Sequence, residues 1–108
     1  DMIVSGGENI YSTEVEAALF AHPDVVDAAV IGVPNEKYGE VVKACIVKKE
    51  GSDLTEEDVI NFCKDRIASY KKPQSIDFID EVPRNASGKV LKKVLREPYW
   101  KDQDRQVS

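Results

Sequence analysis

The sequence has few of the residues and segments that define several large protein classes. Its 108 residues include two cysteines and one histidine, and they contain no apolar run near the roughly 20 residues that cross a bilayer. The first residues also lack the basic, then apolar, pattern of a secretion signal. Cys45 and Cys63 have no metal-ligand spacing, so we expect reduced core thiols in a cytoplasmic protein with no membrane span and no metal site.

The length sets a further limit. A chain of 108 residues is long enough for one domain but short for an enzyme that also encloses a substrate pocket. The opening residues, Asp1 to Val4, read as the middle of a strand. We therefore expect this domain to be one piece of a larger polypeptide.

Positive charge is concentrated in one segment. The chain has a net charge of −5, yet residues 84–101 carry six basic side chains against one acidic one. This distribution argues against a general polyanion-binding surface. The basic segment could be a solvated helix face, or it could serve a local site.

Hydrophobic periodicity predicts a short series of elements. A glycine pair at 6–7 predicts a hairpin over residues 2–11, and Thr13 to Glu16 forms a capping-box pattern that opens a first helix. Alternating and valine-rich stretches predict the strands, while apolar residues three and four apart predict the helices. The remaining elements are strands at Val25–Val33, Glu40–Lys49 and Ile76–Ile79, a helix after Thr55 and before Lys72, and a last helix from about Ser87 to before Pro98.

Two of these helices carry further signals. The residues from Thr55 to Asp58 offer a second cap. The last helix has an apolar face and a basic face on opposite sides. The apolar face consists of Val90, Leu91, Val94 and Leu95, and the basic face of Lys92, Lys93 and Arg96.

This order predicts an α+β fold, with an N-terminal β-hairpin followed by a small three-stranded sheet covered by helices. The domain is expected over residues 1–101, with a flexible tail at 102–108. An RNA-recognition module has a similar element order and must be considered. Its sheet needs stacking aromatic rings, but the strand over residues 40–49 has none, so we expect no nucleic-acid partner.

The segment PRNASGKV at residues 83–90 resembles a phosphate-binding P-loop without being one. In that motif a glycine stands where this chain has Pro83, and a metal-binding hydroxyl stands where it has Val90. Proline removes a backbone donor and valine cannot ligate a metal, so two functional parts of the motif are missing. What remains is Lys89, carried on Ser87 and Gly88 at the start of a basic segment.

Two stretches together resemble the C-terminal domain of the adenylate-forming superfamily, which includes the acyl-CoA synthetases. These are DMIVSGGENIYSTEVE at the start and PRNASGK near the end, with VIGVPNEKYGEVVKACIV between them. The resemblance covers nearly all of residues 1–97. It implies a mobile lid whose larger N-terminal domain holds ATP with Mg²⁺ and the carboxylic acid substrate.

The resemblance implies a catalytic role for Lys89 in the first half-reaction, where carboxylate and ATP form an acyl-adenylate and pyrophosphate. Its ammonium would offset charge at the carboxylate and the α-phosphate as pyrophosphate leaves. Ser87 and Gly88 would support the loop. On this interpretation the lysine acts electrostatically and not as a nucleophile.

For the second half-reaction the resemblance implies that the domain rotates and that its hairpin lines the approach of a thiol, commonly that of coenzyme A. Two sets of residues follow from the family pattern. The pantetheine channel would be lined by Ser5, Gly6, Gly7, Glu8 and Asn9, and the CoA nucleotide would be held by Tyr38, Tyr70, Lys71 and Lys72.

The resemblance thus implies that the chain is the lid of an acyl-CoA ligase. We expect these 108 residues to be inactive alone. The expected partners are the N-terminal domain of the same enzyme, a carboxylic acid substrate and CoA. Two alternatives stay open at the level of sequence. One is the lid of an adenylation domain that serves a carrier-protein thiol. The other is a stand-alone binding module of the same fold.

Overall fold

The structure is a computed structural model that describes residues 2–107, with side chains described for residues 2–101. It contains five strands and three α-helices, so the predicted α+β class is confirmed. In chain order the elements are β1 (Met2–Ser5), β2 (Glu8–Tyr11), α1 (Ser12–Phe20), β3 (Val25–Asn35), β4 (Gly39–Lys48), α2 (Glu56–Lys64), β5 (Ser75–Phe78) and α3 (Lys92–Val107), with a 3₁₀ turn at Ser69–Lys71 before β5.

All five strands belong to one mixed sheet built around β4. Strand β3 pairs antiparallel with β4 along nearly its whole length, and β5 pairs parallel with the other side of β4. The β1–β2 hairpin joins that same side through Ser5 and Gly39. The three strands predicted after the hairpin are confirmed, and the hairpin extends their sheet instead of standing apart from it.

The sheet separates two hydrophobic cores because successive side chains of a strand point to opposite faces. Helices α1 and α2 cover one face, where Val30, Val42 and Ile46 are buried. Helix α3 covers the other face, where Leu95 and Tyr99 pack against a buried cluster that includes Ile31. Both thiols are free and buried, and burial is the main cause that raises the pKa of Cys45 and of Cys63 to about 11.

Side chains cover the outer edge of β3, the last strand on its side of the sheet. The Val30 N–H donates to the carboxylate of Glu16 from α1 at 2.9 Å. The indole N–H of Trp100 from α3 donates to the Gly32 carbonyl at 2.8 Å. Backbone groups that would otherwise face solvent are therefore satisfied by α1 and α3.

The hairpin prediction is confirmed, but the predicted capping box of α1 is wrong. Gly6 and Gly7 have φ of 56° and 84°, the positive values that a tight two-residue turn requires. Helix α1 begins after Tyr11, which makes no side-chain cap, so Thr13 lies within the helix. The Glu16 carboxylate cannot complete a box because it bonds Val30 and pairs with Lys92 at 2.9 Å.

The cap predicted at Thr55 is confirmed, and the structure shows it as a full capping box. Thr55 accepts from the Asp58 N–H, and Asp58 accepts in return from the Thr55 N–H, both at 3.1 Å. Helix α2 ends at Lys64, before the limit predicted at Lys72. The 3₁₀ turn lies between the end of this helix and Pro73.

The predicted start and end of the last helix are wrong. Residues 84–90 form a turn closed by a bridge between Arg84 and Val90, so α3 starts at Lys92 and not near Ser87. It also continues through Pro98, although a proline inside a helix costs about 3 kcal/mol. The next two residues offset that cost, since Tyr99 donates to the Asp77 carboxylate and Trp100 bonds Gly32.

The face that α3 buries also differs from the expectation. Leu91 and Val94 were predicted to be apolar core positions, but they are exposed. Lys92 was predicted on a solvated basic face, yet its side chain is 11% exposed and donates to Ser12 at 2.9 Å. The residues of α3 that turn inward are Lys92, Leu95, Arg96, Tyr99 and Trp100.

Among the described residues, none of the helices combines the length and apolar character needed to span a bilayer. The flexible tail predicted over residues 102–108 lies outside the residues whose side chains are described. The backbone of α3 reaches Val107, and the flexibility of this segment stays a prediction.

Candidate functional site

The loop that carries Lys89 is held in a defined turn by one asparagine. The Asn85 side-chain oxygen accepts from the Ser87 N–H, the Ser87 hydroxyl and the Lys89 N–H, at 3.0, 2.8 and 3.0 Å. Gly88 has φ of 88° and its N–H donates to the Asn85 carbonyl at 2.9 Å. A side chain at that φ would be strained, which explains the glycine before the lysine.

The Lys89 side chain is exposed at the tip of this turn. In the part of the chain that the structure describes, its ammonium makes no hydrogen bond or ion pair, and no aromatic ring lies under it. Nearby basic residues differ, because Arg84 and Lys92 are both paired with carboxylates. The turn therefore presents one lysine whose charge is available to a ligand.

A second candidate region is a groove of about 540 Å³ between the hairpin, the β3–β4 turn and the 3₁₀ turn. Gly6 lies against the Tyr38 ring, since a Cβ added to it would come within 3.0 Å of the Tyr38 Cδ1. Six residues predicted for the thiol channel or the CoA nucleotide line this groove together: Ser5, Gly6, Glu8, Tyr38, Tyr70 and Lys72.

Three of the predicted residues do not line the groove. Gly7 is at the hairpin turn beside it, and Asn9 is paired with Val4 across the hairpin. The Lys71 ammonium instead forms an ion pair with Glu14 at 2.8 Å, and the hydrogen bond to Glu14 raises the pKa of Lys71. Of the two adjacent lysines, only Lys72 faces the groove.

The two candidate regions lie at opposite ends of β3. The Lys89 loop is attached near the start of this strand, where Arg84 pairs with Asp27 at 2.9 Å. The groove adjoins the other end, at Asn35 and the turn that follows it. At about 3.3 Å per residue, Asp27 and Asn35 are about 26 Å apart, so the regions cannot contact the same small reactive centre at once.

Some residues that shape these regions were not predicted. Asn35 holds the β3–β4 turn by accepting from the N–H groups of Lys37 and Tyr38, at 3.0 and 2.9 Å. An asparagine at the start of a turn cluster is a recognisable signal for this bond. The contact between Arg84 and Asp27 gave no such signal, because these residues are 57 positions apart.

A larger cavity of about 790 Å³ lies between the end of α1, the loop after β4 and α2. It shares no lining residue with the groove or with the Lys89 loop. Its charged lining is mainly acidic, which disfavours a phosphate-bearing ligand. The acidic residues include Asp24, Asp53, Asp58 and Asp65.

Comparison with known proteins shows the family to which this chain belongs. Residues 14–89 match the model of the AMP-binding enzyme C-terminal domain. The chain belongs to this family, and the resemblance noted from the two terminal stretches is confirmed.

Its relatives include several acyl-CoA ligases. It is 55% identical over 97 residues to the 3-[(3aS,4S,7aS)-7a-methyl-1,5-dioxo-octahydro-1H-inden-4-yl]propanoyl:CoA ligase of Rhodococcus jostii, which covers 90% of this chain and 19% of that protein. It is 44% identical over 99 residues to the long-chain-fatty-acid–CoA ligase FadD13 of Mycobacterium tuberculosis, covering 92% and 20%. The chain thus spans about a fifth of the length of these relatives.

The fold agrees with a solved structure of the family. ATP-bound MatB from Rhodopseudomonas palustris superimposes with a TM-score of 0.88 at 41% identity, over 95% of this chain and 20% of MatB. This agreement places the five-stranded sheet and three helices among known C-terminal domains of the family.

Proposed function

We propose that this chain is the mobile C-terminal domain of an acyl-CoA ligase. Such an enzyme joins a carboxylate to the AMP part of ATP with release of pyrophosphate, then transfers the acyl group to the CoA thiol with release of AMP. The observation that carries the proposal is the exposed Lys89 on a rigid turn, in a chain whose relatives are CoA ligases.

Lys89 acts in the first half-reaction. The turn held by Asn85 fixes the lysine backbone, so its ammonium reaches into a facing active site without first ordering the loop. There it stabilises negative charge on the carboxylate and α-phosphate oxygens as the bond to pyrophosphate breaks. Ser87 and Gly88 support the turn that presents it.

The groove beside the hairpin acts in the second half-reaction and takes CoA. Tyr38 and Tyr70 offer aromatic faces to the adenine base, and Lys72 offers an ammonium to the phosphates. Gly6 lets the Tyr38 ring lie against its backbone, and the pantetheine arm lies in the groove beside them, next to Ser5 and Glu8. We expect Lys71 to contribute less than Lys72, because its ammonium is paired with Glu14.

The separation of the two regions along β3 supports a domain that works in two orientations. Lys89 faces the reaction centre for adenylation, and the groove faces it for thioester formation. ATP, Mg²⁺ and the carboxylic acid are held mainly by the larger N-terminal domain, and we expect no turnover by the 108 residues alone. The two reduced thiols agree with a cytoplasmic location.

The test uses the full-length ligase that carries this domain. Lys89→Ala is expected to lower ATP–pyrophosphate exchange about 10²–10³-fold, while thioester formation from premade acyl-adenylate persists. Lys93→Ala, a change at another exposed lysine of the same segment, is the matched control. Normal exchange by Lys89→Ala, or an equal loss in both steps, would contradict the proposal.

The acceptor is tested by titrating the same enzyme with CoA and with a pantetheinylated carrier protein. The two tyrosines and Lys72 favour an acceptor that carries a nucleotide, so CoA is expected to saturate at the lower concentration. A preference for the carrier protein would assign the domain to the other branch of the family.

A further inference from the structure

Arg84 connects the Lys89 loop to the sheet through both of its terminal nitrogens. Nη2 donates to both oxygens of Asp27 at 2.9 Å, and Nη1 donates to the Gly88 carbonyl at 2.9 Å. Arginine is suited to this arrangement because its planar guanidinium presents several donors in fixed directions. One side chain therefore joins β3 to the peptide group that immediately precedes Lys89.

Asp27 is itself fixed in place. One of its oxygens accepts from the Ala28 N–H at 2.9 Å, and the register of β3 with β4 shifts between Val25 and Asp27. Irregularities of this kind redirect a side chain out of the regular alternation of a strand. The carboxylate is thus a rigid anchor at the end of β3 that lies nearest the loop.

The loop needs an anchor of this kind. Asn85 organises the turn from within, but its three hydrogen bonds all stay inside residues 85–89 and do not fix the turn relative to the sheet. A Cβ built on Gly88 would meet no atom within 4 Å, so no neighbouring group packs against that side of the residue. Arg84 supplies the restraint by holding the Gly88 carbonyl.

We propose that Arg84 and Asp27 are positioning residues for Lys89 in the adenylation step. This inference rests on the proposed function. The Asp27–Arg84–Gly88 connection fixes the direction in which Lys89 leaves the turn, and therefore the place of its ammonium in the active site. Side-chain exposure of 39% for Arg84 and 25% for Asp27 makes the ion pair a weak contributor to folding.

The experiment measures both half-reactions of the full-length ligase. Because a displacement of about 1 Å can cost about 10²-fold in rate, Arg84→Ala is expected to lower the maximal rate of ATP–pyrophosphate exchange by about 10- to 100-fold. The KM for ATP and thioester formation from premade acyl-adenylate should stay within about twofold of wild type. Arg66→Ala is the matched control, since it removes an exposed arginine whose guanidinium stacks on Phe62, 4.1 Å from the ring centroid.

Three further variants separate positioning from other roles. Asp27→Asn keeps the acceptor for the Ala28 N–H but weakens the anchor, so it should show the same selective loss. Arg84→Lys keeps the charge but cannot reach both partners, and should recover little exchange. Arg84→Ala should cause no additional loss when Lys89 is already alanine, because the two residues act as one unit.

Several outcomes would overturn the inference. These are normal exchange by Arg84→Ala, full recovery by Arg84→Lys, a further loss in the Lys89→Ala background, or an equal fall in both half-reactions with a lowered melting temperature. A different result, normal exchange by Lys89→Ala, would instead remove the proposed function itself. The two failures are therefore distinguishable in one set of assays.

Discussion

The Gly6 N–H donates a hydrogen bond of 2.8 Å to the Tyr38 carbonyl. This bond ties the tip of the β1–β2 hairpin to the turn between β3 and β4, although the two residues are far apart in sequence. It also sets the Tyr38 ring against the bare Cα of Gly6. One wall of the groove thus depends on a glycine and a tyrosine that contact each other through both backbone and side chain.

Tyr38→Ala is expected to raise the KM for CoA about tenfold in the full-length ligase, the change that follows from losing one aromatic contact of about 1–1.5 kcal/mol. ATP–pyrophosphate exchange should not change, because the groove is distant from Lys89. Steady-state thioester formation at varied CoA measures the effect. Tyr11→Ala removes an exposed tyrosine on the same hairpin that does not line the groove, and should leave KM unaltered. An equal rise in both variants would show that Tyr38 has no specific contact with CoA.

Thr55→Ala is expected to lower the free energy of unfolding of the 108-residue chain by about 1 kcal/mol, because it removes the N-cap of α2. The chain contains one other threonine, Thr13, which lies inside α1 and caps nothing. Thr13→Ala should therefore change stability by less than about 0.5 kcal/mol. Urea unfolding followed by circular dichroism gives both values, and equal losses would refute the assigned caps.

Asp58 should make stability depend on pH in the acid range. Its hydrogen bonds with the backbone N–H and hydroxyl of Thr55 lower the pKa of Asp58 from 3.8 in the folded chain. A lowered folded-state pKa adds stability above the unfolded value, and that stability is lost as pH falls through the folded value. Asp58→Asn should thus be less stable than wild type at pH 7, and the difference should shrink as the pH falls below about 3.8 and disappear below the lower pKa of the folded chain. A difference that persists unchanged at pH 2.5 would contradict the assignment.

Local patterns were enough to predict much of the fold. The glycine pair, the Thr55 cap and the alternation in β4 each depend on neighbours in sequence, and each is confirmed. These signals are short-range, so tertiary contacts did not need to be known. They also carried the family resemblance, and with it the position of Lys89 on an exposed loop.

Helix α3 was predicted poorly because distant residues decide its position. Leu91 and Val94 have helical spacing and apolar side chains, but the helix instead buries Lys92, whose ammonium finds Glu16 and Ser12. Tyr99 of the same helix likewise contacts a distant residue, because its hydroxyl donates to the Asp77 carboxylate. The pKa of Asp77 is lowered even though burial opposes this, because Tyr99 and Lys43 both donate to its carboxylate.

The same limit applies to the candidate site. Lys71 and Lys72 are adjacent and chemically equal in the sequence, and only the position of Glu14 shows which of them is neutralised. Arg84 looked like one more positive charge in a basic segment. Its use as a connection between β3 and the loop depends on Asp27, which no local pattern links to it.

The covered edge of β3 affects how readily the domain aggregates at high protein concentration. An uncovered strand edge is a template on which another chain can add a strand and begin an aggregate. Here Glu16 and Trp100 occupy the outward backbone groups of Val30 and Gly32. Helices α1 and α3 therefore protect this edge against intermolecular strand addition, and a truncation that removed α3 would uncover the Gly32 carbonyl in the longest strand of the sheet.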